Sequence, residues 1–115
     1  MREQTAVDDE SVCCEPVGTV DQDDVATDVQ LLSAMGNDTR YELLRAIAGA
    51  DGEVCVCDLE ATVGVSQSAV SQALSRLYTA GLVTRRKEGN WRYYGQTERA
   101  ETVLDALDAV REGQR

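Results

Sequence analysis

The chain of 115 residues contains no histidine, a single lysine (Lys87) and a single proline (Pro16). Without imidazole there is no catalytic scheme built on histidine and no zinc or copper site that needs a ring nitrogen, so thiolate is the only soft ligand available. No apolar run reaches the ~18 residues of a membrane span, and the opening MREQTAVDDE lacks the basic start and apolar middle of a secretory signal. Neither a membrane partner nor export is indicated, and the expected location is the cytoplasm. A glycine-rich phosphate loop and a paired catalytic acid and base are also missing, which argues against an enzyme.

What the chain does have is acid. A formal net charge of -10 arises from 21 carboxylates against 11 bases, and an acidic surface almost without lysine resembles those of proteins from salt-loving archaea. The distribution says more than the total. Residues 1–30 hold nine acids and one base, Arg2, whereas residues 61–97 hold five bases (Arg76, Arg85, Arg86, Lys87, Arg92) and one acid, Glu88. A chain that repels phosphate nearly everywhere has kept one stretch able to meet it. The length fits one domain on the usual scale of roughly 100 to 200 residues, and so small a domain gains burial by dimerising. Four cysteines, Cys13, Cys14, Cys55 and Cys57, in a reducing compartment read as metal ligands or redox groups before they read as structural disulfides.

Hydrophobic spacing divides the chain into a polar, acidic arm over residues 1–22, a domain over 23–111 and a short tail over 112–115. The arm shows no helical or strand period and carries Cys13 and Cys14, so it is expected to be flexible. From Asp23, the positions Val25, Val29, Leu32 and Met35 mark one face of a first helix, stopped by Gly36. A second helix is expected from Asp38 or Thr39, with Thr39 to Glu42 as a capping box, through Leu43, Leu44 and Ile47 to Gly49. Val56, Leu59 and Val63 lie on one side of a short third helix within residues 54–63, closed by Gly64.

The next segment is the most informative. Ser66 is a good N-cap, and Val70, Leu74 and Leu77 form an apolar stripe, while the other face presents Gln67, Ser68, Ser71, Gln72, Ser75 and Arg76. Two short helices joined by Gly64-Val65, the second coated with small hydrogen-bonding side chains and one arginine, follow the plan of a helix-turn-helix whose second helix enters the major groove. Glutamine can read adenine edges, arginine can take guanine or phosphate, and serine either base or phosphate. An ordinary solvated helix face is the plainer alternative. After Ala80-Gly81, the runs 82–87 and 91–96 around Glu88-Gly89-Asn90 read as a hairpin wing. Arg85, Arg86, Lys87, Asn90 and Arg92 on that wing are candidates to lie along the DNA backbone. A last helix from Glu98 to Arg111 shows Val103, Leu104, Leu107 and Val110 on one face. Val25, Val29 and Leu32 of the first helix with Val103, Leu107 and Val110 of the last are the candidate two-fold interface of a homodimer, which suits a palindromic site. The expected fold is therefore α+β, mainly α: about five helices and a β-hairpin wing, a winged helix-turn-helix.

Cys55 and Cys57 carry a separate chemistry. In a regular helix positions i and i+2 point about 200° apart, so two such thiolates converge on one ion only where the helix start is distorted or extended. Ion capture would then deform the third helix, which packs on the recognition helix, and a coupling of about 1–3 kcal/mol is enough for a switch. A helix N-terminus is expected to favour the thiolate form. Burial as small hydrophobes is the plainer reading of these cysteines.

The pattern Glu53-Val54-Cys55-Val56-Cys57-Asp58-Leu59, followed by Ser66 to Ser71 and by Leu74 to Val83, resembles the ArsR/SmtB family of metalloregulatory repressors over roughly residues 25–111. The resemblance implies a homodimer that binds double-stranded operator DNA and dissociates when an effector ion binds. No permanently bound cofactor is implied. The effectors it implies are As(III) or Sb(III) first, then Cd(II), Pb(II) or Zn(II), held through thiolates. Arsenite-sensing members of one type carry a third cysteine three positions after the second, where this chain has Glu60, and a carboxylate is a poor ligand for a soft metalloid. The cadmium- and lead-sensing branch instead adds N-terminal cysteines, which here implies Cys13 or Cys14. Zinc sites on the last helix in this family use histidine and are excluded. Two other readings stay open: a repressor switched by cysteine oxidation, and a DNA-binding regulator with no ligand.

Overall fold

A computed structural model describes residues 14–114, and within them residues 14–20 form no helix or strand. The first helix, α1 (Gln22–Met35), starts one residue before the expected point because Asp21 caps it, its carboxylate accepting from the backbone N–H groups of Asp23 and Asp24 at 2.9 and 3.1 Å. The second, α2 (Asp38–Ala48), follows after Gly36-Asn37. Its cap is Asn37, whose Oδ1 accepts from Arg40 N at 3.0 Å, and not the Thr39 box expected from sequence. The asparagine wins because it stands in extended backbone one residue outside the helix, where a cap must be, whereas Thr39 is already inside. Arg40 then reaches back, donating from Nε to Ala34 O at 2.8 Å and from Nη2 to Ser33 O at 3.0 Å. The last carbonyls of α1 thereby gain charge-assisted partners, and the corner between the two helices is fixed.

The region read as one helix over 54–63 divides in two. Val54–Cys55 is a strand, β1, and the helix α3 spans only Val56–Thr62. Next come the recognition-helix candidate α4 (Gln67–Thr79), the wing strands β2 (Val83–Glu88) and β3 (Trp91–Gln96), and α5 (Glu98–Glu112). The wing is thus part of a three-stranded antiparallel sheet in the order β1-β3-β2, with Cys55 opposite Tyr93 and Val54 opposite Tyr94. Gly89, at φ +62°, takes the tight turn at the wing tip, a conformation that favours glycine.

Leu43, Leu44, Ile47, Leu59, Val70, Leu74, Leu77 and Leu82 are almost fully buried and form one core under all of these elements, with no buried polar or charged residue among those described. They include the stripe Val70-Leu74-Leu77 read from the period of α4, so its polar face must turn outward. At the junction of α4 and β2, Leu82 N donates to Leu77 O, and Thr97 both caps α5 and donates from its hydroxyl to Gly81 O at 2.7 Å. Arg99 donates to Ala80 O at 2.9 Å. Gly81 has φ +76°, which favours glycine, and a Cβ there would stand 3.1 Å from the Arg99 guanidinium, which would have to shift by a few tenths of an ångström.

Candidate nucleic-acid interface and its dithiol

The outward face of α4 is what its sequence promised in exposure: Gln67, Ser68, Ser71, Gln72, Ser75 and Arg76 are all solvent-exposed. Ser66, also a candidate DNA contact from its place at the head of the polar face, caps the helix instead, its Oγ accepting from Ala69 N at 3.1 Å. Gln67, Ser68, Ser71 and Gln72 form one wall of an open cleft of about 590 Å³, and Lys87, Asn90 and Arg92 of the wing form the other. A second cleft of about 500 Å³ on the far side of α4 collects Ser75 and Arg76 with Asn37, Thr39 and Arg40, and Gln72 borders both. Two clefts flanking one exposed helix are the shape a duplex groove and its phosphate ridges would fill.

Side-chain alternation across the hairpin sorts its cations. Lys87 pairs directly with Arg92, and Arg85 with Tyr94, on the face turned toward α4. Lys87 and Arg92 are like charges in facing positions, an arrangement that costs stability, and neither has an ion-pair partner among the described residues. Arg85 is aligned by Tyr78, its guanidinium 4.1 Å from the ring centroid, which brings the end of the recognition helix and the wing together.

Arg86 is placed differently from the other wing cations. It lies on the opposite face, where Nε donates to Glu53 Oε1 at 2.9 Å, Nη1 donates to Glu88 Oε1 at 2.6 Å, and the guanidinium sits 4.7 Å from the Tyr93 ring centroid. Hydrogen bonds from Glu53 first and Glu88 second hold its charged form more firmly than usual. An arginine so committed has few donors left for phosphate, and sequence could not show this, because Glu53 is 33 residues away.

Cys55 and Cys57 do converge. The extended backbone at Cys55 (φ −70°, ψ 142°) brings the two Sγ atoms to 3.0 Å, with Cys55 half-buried and Cys57 exposed. They are therefore neither core cysteines nor sealed from solvent. Their contact overturns the expected thiolate preference at Cys57: the hydrogen bond with Cys55 and, less, desolvation raise its pKa, so the proton is held. Val56, between the two cysteines, lines the 590 Å³ cleft, as does Glu60. Among the described residues no third Cys, Asp or Glu joins the pair in a three-donor cluster. Cys14 is exposed, and Cys13 lies outside the described residues.

Of the dimer candidates, Val29, Leu32 and Val110 are more than half exposed, and Val25, Val103 and Leu107 are partly buried. Arg45 of α2 donates to Asp108 of α5 at 2.9 Å and to the Tyr41 hydroxyl at 2.7 Å, and Arg111 also donates to Asp108, so α5 is latched to the domain by its polar side. No described helix is long and apolar enough to cross a membrane.

Comparison with known proteins bears on this arrangement. The profile described as "Bacterial regulatory protein, arsR family" matches residues 37–85, the span from the cap of α2 into β2. A putative arsenical resistance operon repressor, ArsR2, from Halobacterium salinarum is 73% identical over 91% of this chain and 88% of its own. The chain belongs to the ArsR family. As an ArsR-family winged helix-turn-helix it is a DNA-binding transcriptional regulator and not an enzyme. Among solved ArsR-like folds, NolR from Sinorhizobium fredii is 31% identical with a TM-score of 0.72, covering 84% of this chain and 96% of that one. A homodimeric winged helix-turn-helix domain from Mycobacterium bovis, 24% identical, shares the fold at a TM-score of 0.72 over 86% of this chain and 93% of that one.

Proposed function

We propose that this ArsR-family regulator is a homodimeric repressor that holds operator DNA through α4 and the wing and is released when a thiophilic ion is captured by Cys55 and Cys57. As(III) or Sb(III) is the favoured effector, with Cd(II) or Pb(II) next. The observation that carries the reading is the 3.0 Å approach of two accessible sulfurs around Val56, a residue that itself lines the cleft beside α4. The name of the relative at 73% identity, an arsenical resistance operon repressor, supports the choice of ion.

The donor set suits a soft ion but is incomplete within the described residues. Two sulfurs at Zn–S-like distances of about 2.3 Å around a tetrahedral centre sit about 3.8 Å apart, so capture opens the pair by several tenths of an ångström. A third thiolate is assigned to the arm over residues 1–22, from Cys14 or Cys13. Zn(II) stays an alternative, since its structural sites take four N or S ligands and the chain has four cysteines. The exposed valines and leucine of α1 and α5 are assigned to the two-fold interface, where burial would remove an apolar patch from water. At the DNA face, Gln72 and Arg76 are assigned to base edges, with Ser68, Ser71 and Ser75 beside them, while Lys87, Arg92, Asn90 and Arg85 are assigned to the backbone.

The test is gel-shift titration of a selected palindromic duplex with arsenite, antimonite, cadmium, lead and zinc, on the wild type and on each single Cys→Ser variant. C55S and C57S are expected to bind DNA as the wild type does and to resist release, and C14S or C13S to identify the arm ligand. Release that persists in both C55S and C57S would remove the assignment. The same 3.0 Å contact favours one competing reading, oxidation by a peroxide. In that step two thiols lose two protons and two electrons to form one S–S bond, and the peroxide becomes two waters. Release by mild peroxide with loss of two titratable thiols, and none by arsenite, would favour it.

A further inference from the structure

The outer face of the sheet links the proposed ion ligand Cys55 to side chains that neither DNA contact nor ion binding uses directly. Cys55, Tyr93 and Arg86 stand in one row across β1, β3 and β2, since Cys55 is opposite Tyr93 and Tyr93 is opposite Arg86. Glu53, two residues before Cys55 in extended chain, is on the same side. Its carboxylate meets Arg86 from both Nε and Nη2, at 2.9 and 2.8 Å. The glutamate side chain crosses β3 over Gly95, where a Cβ would be in van der Waals contact with Glu53 Cγ at 3.6 Å and close to Thr84 Oγ1 at 3.1 Å. The other end of Arg86 is fixed to Glu88, which pairs with Trp91 at the wing tip.

We propose that Arg86 is a positioning residue that transmits the state of the Cys55–Cys57 pair to the wing through Glu53, rather than a phosphate contact. The inference rests on the thiophilic-ion reading above. β1 is attached to the sheet through only two residues, Val54 and Cys55. Spreading the two sulfurs onto an ion strains the Cys55 end of that short pairing. Glu53 lies on the same strand of backbone and moves with Cys55, and Arg86, held by Glu53 on one side and by Glu88 and Tyr93 on the other, carries the displacement into β2 and the tip. The cations that face the duplex, Lys87 and Arg92, follow Arg86 and Trp91 in the two strands. Ion capture thus has two outputs, one into α4 through α3 and one into the wing through the sheet.

The experiment compares wild type, E53Q, R86Q and E53Q/R86Q, using a palindromic duplex selected by the wild-type protein and sodium arsenite as probe. Four quantities are read: duplex Kd without and with arsenite, arsenite Kd for DNA-free protein, the slope of duplex affinity against salt, and Trp91 emission on adding arsenite. Trp91 is the single tryptophan and is 53% exposed, so its emission reports the wing. The expected result for E53Q is an unchanged arsenite Kd, a release factor about two- to fivefold smaller, the scale of an exposed ion pair, and a smaller arsenite-induced change in Trp91 emission. The double variant is expected to lose no more of the release factor than either single one, because the two residues act through each other. R86Q is expected to keep the wild-type salt slope.

A wild-type release factor retained in E53Q, additive losses in the double variant, or a salt slope in R86Q lowered by about one, as when a cation that neutralises one phosphate is removed, would each overturn the proposal. Failure of arsenite, antimonite, cadmium, lead and zinc alike to release the wild type would instead remove the sensor reading, and this inference with it.

Discussion

Lys87 and Arg92 face each other across the wing hairpin with no carboxylate between them, in a chain that carries 21 acidic residues. Like charges in facing positions of a strand pair destabilise it. The folded protein tolerates that cost on the one wall of the cleft that looks at the recognition helix, which is where a phosphate would relieve it.

Neutralising either partner should therefore separate stability from binding. K87Q and R92Q are each expected to melt at the wild-type temperature or slightly above it, yet to bind duplex more weakly, with the salt slope reduced by about one for each phosphate no longer neutralised. A thermal melt and a salt titration on the same preparations check both halves. A lower melting temperature with an unchanged slope would place these cations in a structural role.

The helix face makes a different demand. Q72A and R76A are expected to cost about 1–3 kcal/mol on the selected palindrome if each makes a bidentate base contact, and much less on random duplex of equal length. Gln72 borders both clefts, so its removal should be felt whichever groove wall is altered. Equal affinity of both variants and wild type for the selected sequence would mean that α4 is not the reading element.

Proton competition gives a third expectation. The thiol of Cys57 must lose its proton to bind an ion, and its hydrogen bond with Cys55 raises its pKa above the ordinary thiol value. Protons compete with the ion below that raised pKa and cease to do so above it. Cadmium affinity of DNA-free protein should thus climb with pH through and beyond the ordinary thiol range near about 8.5, because Cd(II) displaces thiol protons. In C55S, without that neighbour sulfur, the residual dependence should move to lower pH. Isothermal titration across pH in two buffers also counts the protons released.

The cap of α2 offers a stability test that is read without DNA. N37A removes the acceptor for Arg40 N and is expected to cost about 0.5–2 kcal/mol in denaturant unfolding. T39A, at the position that sequence favoured, should cost less. The reverse order would restore the Thr39 capping box.

Much of the fold was legible because helical period is a local signal. Val70, Leu74 and Leu77 set the inward face of α4, and hence which glutamines and serines point out, without reference to any partner. The wing followed from Ala80-Gly81, the turn Glu88-Gly89-Asn90 and the two strand-like runs on either side of it. What stayed hidden was set by contacts between distant residues. Val54 and Cys55 look like the start of a helix until β3 supplies strand partners 38 to 40 residues further on. Arg86 reads as one more wing cation until Glu53 takes it. The Asn37 cap was a local signal, but Thr39 with Glu42 offered a second one, and the choice turned on where the turn after α1 ended. The spacing of Cys55 and Cys57 makes their convergence conditional on an extended helix start, and β1 provides that condition.

The joint at Gly81 bears on how such a regulator can be redirected. Its backbone conformation, at φ +76°, strains any other residue, a Cβ there would require the Arg99 guanidinium to shift, and Arg99 and Thr97 clasp the carbonyls of Ala80 and Gly81. The angle between the element that reads and the element that clamps is locked there, independently of any residue that touches DNA. On the proposed assignment of α4 to base edges, exchanging its outward side chains is expected to alter operator preference while the joint that sets the grip is left alone.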